Sequence, residues 1–91
     1  MIRTIPLDNY PNQTLSTTIN GDSLTITLIT RLGLLYATVE SRNEGLIVSN
    51  RVCLDRVPIT QNLIFIDIEG NQNPSYDGLN GRFLLVWADE S

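Results

Sequence analysis

The residues best able to do chemistry lie in one run, Asp67, Glu69, Asn71, Asn73, Ser75 and Asp77, where oxygen-bearing side chains recur at every second position. Oxygen ligands at that spacing suit a calcium loop, but the match fails where it is most demanding. Counted from Asp67, the sixth position is Gln72, where the tight turn needs glycine, and the twelfth is Gly78, where a bidentate glutamate belongs. Asp67 and Glu69 share a strand face by spacing alone. Like charges near a strand end are ordinarily solvated, so this pair is expected to face water. The chain contains no histidine, which removes the commonest general base and metal ligand together. It also lacks lysine, and with it Schiff-base chemistry and P-loop phosphate binding. The sole cysteine, Cys53, has no histidine partner to activate it, and its neighbours Val52 and Leu54 favour a buried packing role. A glycosidase resting on carboxylates would need two positioned acids in a cleft that a chain of 91 residues can hardly build. Tyr10, Tyr36, Tyr76 and Trp87 are candidates for a sugar-stacking platform, but core packing and interface anchoring account better for so few aromatics. These residues predict a protein that is not an enzyme, with no catalytic or metal-ligating residue and no cofactor.

The charge pattern narrows the partners. Ten acidic residues oppose six basic ones, all arginine, for a net charge of −4. Arg3, Arg31, Arg42, Arg51, Arg56 and Arg82 are scattered singly, whereas a nucleic-acid surface needs clustered cations to displace counterions. Guanidinium groups lose water more readily than ammonium, so these arginines suit surface charge or contacts with other proteins. One cysteine excludes an internal disulfide. No apolar run is long enough for a signal-peptide core or a membrane span, so neither export nor insertion is expected, and Asn12-Gln13-Thr14 reads as a turn into a strand rather than a glycosylation site.

The elements that must position these residues are strands. Residues 1–12 carry Pro6 and Pro11, which resist helix, and read as an extended N-terminal arm ahead of a single β-domain over 13–91. Alternation from Gln13 to Ile19 and from Leu24 to Arg31, around Asn20-Gly21-Asp22, predicts a hairpin. Leu34 to Ser41 is apolar on both faces and suits a central strand. Leu46 to Ser49 is a short strand, and 50–60 is irregular, with Pro58 barred from a central ladder. Asn62 to Ile68 alternates Ile64, Ile66 and Ile68 against Leu63, Phe65 and Asp67; 69–82 is a long loop; Phe83 to Trp87 is the last strand, before the acidic tail 89–91. No window has a helical apolar period. The fold expected is all-β, a small antiparallel sandwich or barrel with an extended N-terminal arm.

Read in order, Ile5-Pro6-Leu7, Pro11-Asn12-Gln13, Leu24-Thr25-Ile26-Thr27-Leu28 with Gly33 following, Arg51, Leu63-Ile64-Phe65, Pro74, Tyr76 and Leu84-Leu85-Val86 resemble the baseplate plug proteins of contractile-tailed bacteriophages. The resemblance spans nearly the whole chain. It departs at 50–60, where Cys53-Leu54-Asp55 does not follow the family's pattern.

The resemblance implies a structural protein of the virion, made in the host cytoplasm, that closes or joins the central channel of the tail baseplate near the hub and spike. Its partners would be other baseplate, hub, spike or tail-tube proteins, with roughly three or six symmetric copies around the tail axis. Neither nucleic acid nor membrane is expected as a partner. Carried over residue by residue, the partner-binding role falls on Pro6, Leu7, Pro11, Asn12, Gln13, Pro74 and Tyr76, each of which also has a reading as a turn or packing residue. A rival class is a free cytoplasmic protein-binding module, an adaptor or inhibitor whose acidic surface steers a basic partner. An exposed apolar patch on the folded chain would favour the baseplate reading.

Overall fold

The computed structural model describes residues 2–19, 21–60, 62–79 and 81–88. Of the segments read above, Asn20 in the first hairpin turn and the acidic tail 89–91 lie outside the described residues. Among the described residues seven strands follow in chain order: β1 (Ile2–Ile5), β2 (Asn12–Ile19), β3 (Asp22–Arg31), β4 (Leu34–Ser41), β5 (Gly45–Val52), β6 (Leu63–Asp67) and β7 (Phe83–Ala88). They form two antiparallel sheets, one ordered β2-β3-β4-β5 and the other β1-β7-β6. Among the described residues the two sheets share no ladder, so of the two architectures expected the fold is the sandwich, not a closed barrel.

Period-two alternation builds the interior. Leu24, Ile26 and Leu28 of β3 and Leu35, Ala37 and Val39 of β4 are fully or nearly fully buried. From the other sheet Leu63, Phe65, Phe83 and Leu85 join them in the same cluster. β4 lies between β3 and β5, as its two apolar faces require. The β3–β4 turn is the two-residue loop Leu32-Gly33, with φ of 52° and 80°, closed by the pair Arg31 and Leu34. Positive φ at both positions marks the primed turn whose twist matches the strands it joins.

The opening segment is extended, and it belongs to the sandwich. Ile2–Ile5 pairs with β7 from Ile2 opposite Ala88 to Ile5 opposite Leu85. Ile5 and Leu7 are buried in the common core. β5 continues to Val52, past the short strand expected, and the pairing with β4 shifts register around Val39. Asn50 takes φ of 49° there, and its N–H donates to Thr38 Oγ1 at 3.0 Å. Cys53 is fully buried, as its neighbours suggested, and burial pushes its thiol up to about 12.

Residues after β5 guard an edge. The Arg56 N–H donates to Phe65 O at 2.9 Å, the Ile59 N–H to Leu63 O at 2.7 Å, and Pro58 forms an isolated bridge opposite Ile64. This irregular segment occupies hydrogen-bonding groups that β6 would otherwise offer to a foreign strand. A proline fits such an edge because it has no N–H to give.

Candidate protein-contact surface

The two outward faces of the sandwich differ in chemistry. On the four-stranded sheet, Thr14 lies opposite Thr27 and Thr27 opposite Thr38, flanked by the row Ser16, Thr25 and Glu40. The Thr14 and Thr27 hydroxyls are 3.3 Å apart. This is a hydroxyl ladder that water solvates well.

The three-stranded sheet presents the reverse. β6 turns Leu63, Phe65 and Asp67 inward, so Ile64 and Ile66 point outward. β7 pairs Val86 with Ile64 and Leu84 with Ile66, which places four aliphatic side chains on one outer face. Ile68, just beyond β6, is exposed. The face a sandwich normally gives to water is here aliphatic, with Ile64, Ile66 and Leu84 partly exposed and Val86 buried, and apolar surface left on a folded domain is a candidate for contact.

The inward face of β6 ends in a charge, and here the expectation of a solvated Asp67 is corrected. Its side chain has no exposed surface and is gripped by Arg82, with Nε donating to Oδ1 at 2.9 Å and a terminal N–H to Oδ2 at 2.8 Å. The backbone N–H groups of Glu69 and Gln72 donate to the same two oxygens, each at 2.9 Å. The Arg82 fork holds the carboxyl well below the usual carboxylate range; burial opposes this, and the two backbone donors reinforce it. The loop after β6 is thus folded around a satisfied anion. Glu69, by contrast, is exposed. Among the described residues no cluster of three or more His, Cys, Asp or Glu side chains could hold a metal ion, and no helix is long and apolar enough to cross a membrane.

The residues assigned a partner-binding role divide by exposure. Leu7 and Pro74 are buried in this conformation. Pro6, Pro11 and Asn12 are exposed, Gln13 half-buried, and Tyr76 exposed at the start of the 3-10 turn Tyr76–Gly78. Two of these side chains hold the chain's own backbone. Gln13 accepts from the Asp8 N–H at 3.0 Å and donates to Asp8 O at 2.6 Å, closing the loop before β2. Asn12 Oδ1 accepts from the Thr30 N–H at 3.2 Å.

Two further residues, Asn9 and Leu32, stand out at this end of the molecule. The side-chain amide of Asn9 donates to the carbonyl oxygens of Tyr76, Asp77 and Leu79, the last at 2.9 Å, stitching the N-terminal segment to the 3-10 turn. Nothing local in the sequence announces a bond across 70 positions. Leu32 stands wholly in solvent, 101% exposed, in a left-handed conformation that disfavours leucine. Its signal was present: Arg31-Leu32-Gly33 sits between two strand patterns, where the first turn position ordinarily takes asparagine, aspartate or glycine.

No curated protein matches the chain. A family model described as "Cyanophage baseplate Pam3 plug gp18" matches residues 2–90, which includes both outer faces. The chain therefore belongs to the cyanophage baseplate Pam3 plug gp18 family, and is a structural, non-enzymatic protein of the phage virion baseplate.

Proposed function

We propose that this protein closes or joins the central channel of the baseplate near the hub and spike, held there by protein–protein contacts alone. The observation that carries the reading is the aliphatic outer face of the three-stranded sheet, where partly exposed Ile64, Ile66 and Leu84 surround buried Val86 beside exposed Ile68. A component seated permanently among hub, spike or tube proteins buries such a face, and this favours the baseplate reading over a free cytoplasmic module. Covering it removes apolar surface from water at roughly 25 cal/mol per Å², which favours a seated subunit. Exposed Pro6, Pro11, Asn12, Tyr76 and Leu32, with half-buried Gln13, supply contacts at the end of the sandwich where Asn9 joins the two segments. Several copies arranged about the tail axis fit the closed cyclic symmetry usual for protein assemblies.

Hydroxyl-radical footprinting of the isolated chain and of intact tails tests this. Ile64, Ile66 and Leu84 are expected to lose reactivity on assembly, while Thr14, Thr27 and Thr38 on the opposite face change less. Equal reactivity of the aliphatic face in both states would remove it from the contact.

A further inference from the structure

At the end of the sandwich opposite the Asn9 seam, the two sheets part around a cavity of about 300 Å³. Its walls come from both sheets: Ile19 and Leu24 beside the first hairpin, Ile47 of β5, and Trp87 of β7. Asp22 and Glu44 stand at the same cavity and give it negative charge. Two polar atoms there are buried and, among the described residues, have no hydrogen-bond partner: Asp22 Oδ1, an acceptor, and Trp87 Nε1, a donor. Such atoms have given up their hydrogen bonds to water without replacement, which is costly.

The rest of the site is built to keep Asp22 where it is. Ser41 is buried, and its hydroxyl donates to Asp22 Oδ2 at 2.6 Å while accepting from the backbone N–H groups of Asn43 and Glu44, each at 3.1 Å. One carboxylate oxygen is therefore fixed by the fold, and the turn carrying Glu44 is fixed to the same hydroxyl. The second oxygen is left over.

From this arrangement we infer that the cavity is a docking site for an arginine side chain presented by an extended segment of a partner protein. The inference rests on the reading that partner proteins hold this chain, and it names the chemistry of one of them. The cavity asks for a donor to Asp22 Oδ1, a cation beside Glu44, an apolar stem against Ile19, Leu24 and Ile47, and an acceptor for the Trp87 N–H. An arginine residue meets all four needs: its guanidinium donates in several directions, its methylenes are apolar, and the carbonyl of its own segment accepts from the indole. Guanidinium also stacks on an indole face and sheds water more readily than ammonium, which favours arginine over lysine. The chain's net charge of −4 points the same way. Because both orphan atoms are buried in the free chain, docking requires a small side-chain adjustment at the cavity mouth.

Trp87 is the sole tryptophan, so its indole N–H gives one unambiguous resonance. The probe is the capped tripeptide acetyl-Gly-Arg-Gly-amide, with citrulline in place of arginine as the neutral isostere. The arginine peptide is expected to move the Trp87 indole resonance saturably at about millimolar concentration, near the weak end of measurable binding, while the citrulline peptide does not. No saturable movement, or equal movement with both, would overturn the inference and leave the cavity to ordered water. A second arm uses the double variant Asp22→Asn, Glu44→Gln, in which the asparagine can still accept from Ser41. Co-expressed with the baseplate proteins of the same tail, it is expected to be retained at least about tenfold less tightly than wild type, with an unchanged melting temperature. Wild-type retention by the variant sinks the arginine site while leaving the plug reading intact. If wild type itself is not retained, the plug reading falls, and the indole titration alone decides the site.

Discussion

Arg82 grips Asp67 through two parallel hydrogen bonds, 2.9 Å from Nε to Oδ1 and 2.8 Å to Oδ2, at the point where β6 gives way to the loop leading to β7. The same guanidinium lies 5.3 Å from the ring centroid of its neighbour Phe83. A buried acid at the end of an apolar strand is tolerable because every lone pair in reach is used.

Acid should therefore loosen the fold through this pair. The folded carboxyl sits below its unfolded value of about 3.9. Its contribution is accordingly complete at neutral pH and is lost progressively as pH falls below about 4 towards the lower folded value. Asp67→Asn is expected to lower the melting temperature at pH 7 and to flatten the acid limb of stability. Thermal melts of both proteins from neutral pH to strongly acidic pH check this, and parallel curves would assign the acid limb to other groups.

Gly78 is held small by Phe83. A Cβ at position 78 would lie 2.6 Å from two carbons of the Phe83 ring, which is itself buried. Gly78→Ala is expected to destabilise by about 1–3 kcal/mol, the usual cost of overpacking. Urea unfolding measures it. A neutral effect would mean that the 3-10 turn moves freely away from the ring.

Leu32 should trade stability for contact. A leucine at φ of 52° carries strain of roughly 1 kcal/mol that asparagine largely avoids, and its side chain has no packing to lose. Leu32→Asn is expected to raise stability by about 0.5–1 kcal/mol while weakening incorporation into baseplates. Chemical denaturation and a competition assembly with wild type read the two effects separately. Undiminished incorporation would remove Leu32 from the contact.

Cys53 should report opening of the sandwich. Fully buried, with its thiol pushed up to about 12, it is expected to resist thiol reagents in the native state and to react promptly once the chain unfolds. Labelling followed by mass spectrometry across a denaturant series gives the comparison. Fast native labelling would show that the β5–β6 connection opens readily.

Much of the fold is legible in local pattern. Threonine and serine against Leu24, Ile26 and Leu28 announce a hairpin with one wet face, and Leu34 to Ser41 announces an interior strand. What the sequence conceals is pairing between distant segments. Four residues opening the chain become an edge strand only because Ala88 to Leu85 lie beside them. The two faces of β6 show the same limit. Three isoleucines on one side and Leu63, Phe65 and Asp67 on the other leave the inward face undecided, because the acid's partner is Arg82, fifteen positions away. Of the contact residues read from the resemblance, Leu7 and Pro74 are buried in this conformation, which no local pattern announces, and the aliphatic outer face emerges only when β6 and β7 lie side by side.

The most direct test of the central claim is size-exclusion chromatography with light scattering on the purified chain, alone and after co-expression with the hub and spike proteins of the same tail. A stoichiometric complex is expected, which Ile66→Glu, on the aliphatic face, prevents from forming without unfolding the chain. A wild-type chain that stays a well-behaved monomer in the presence of those proteins would contradict it.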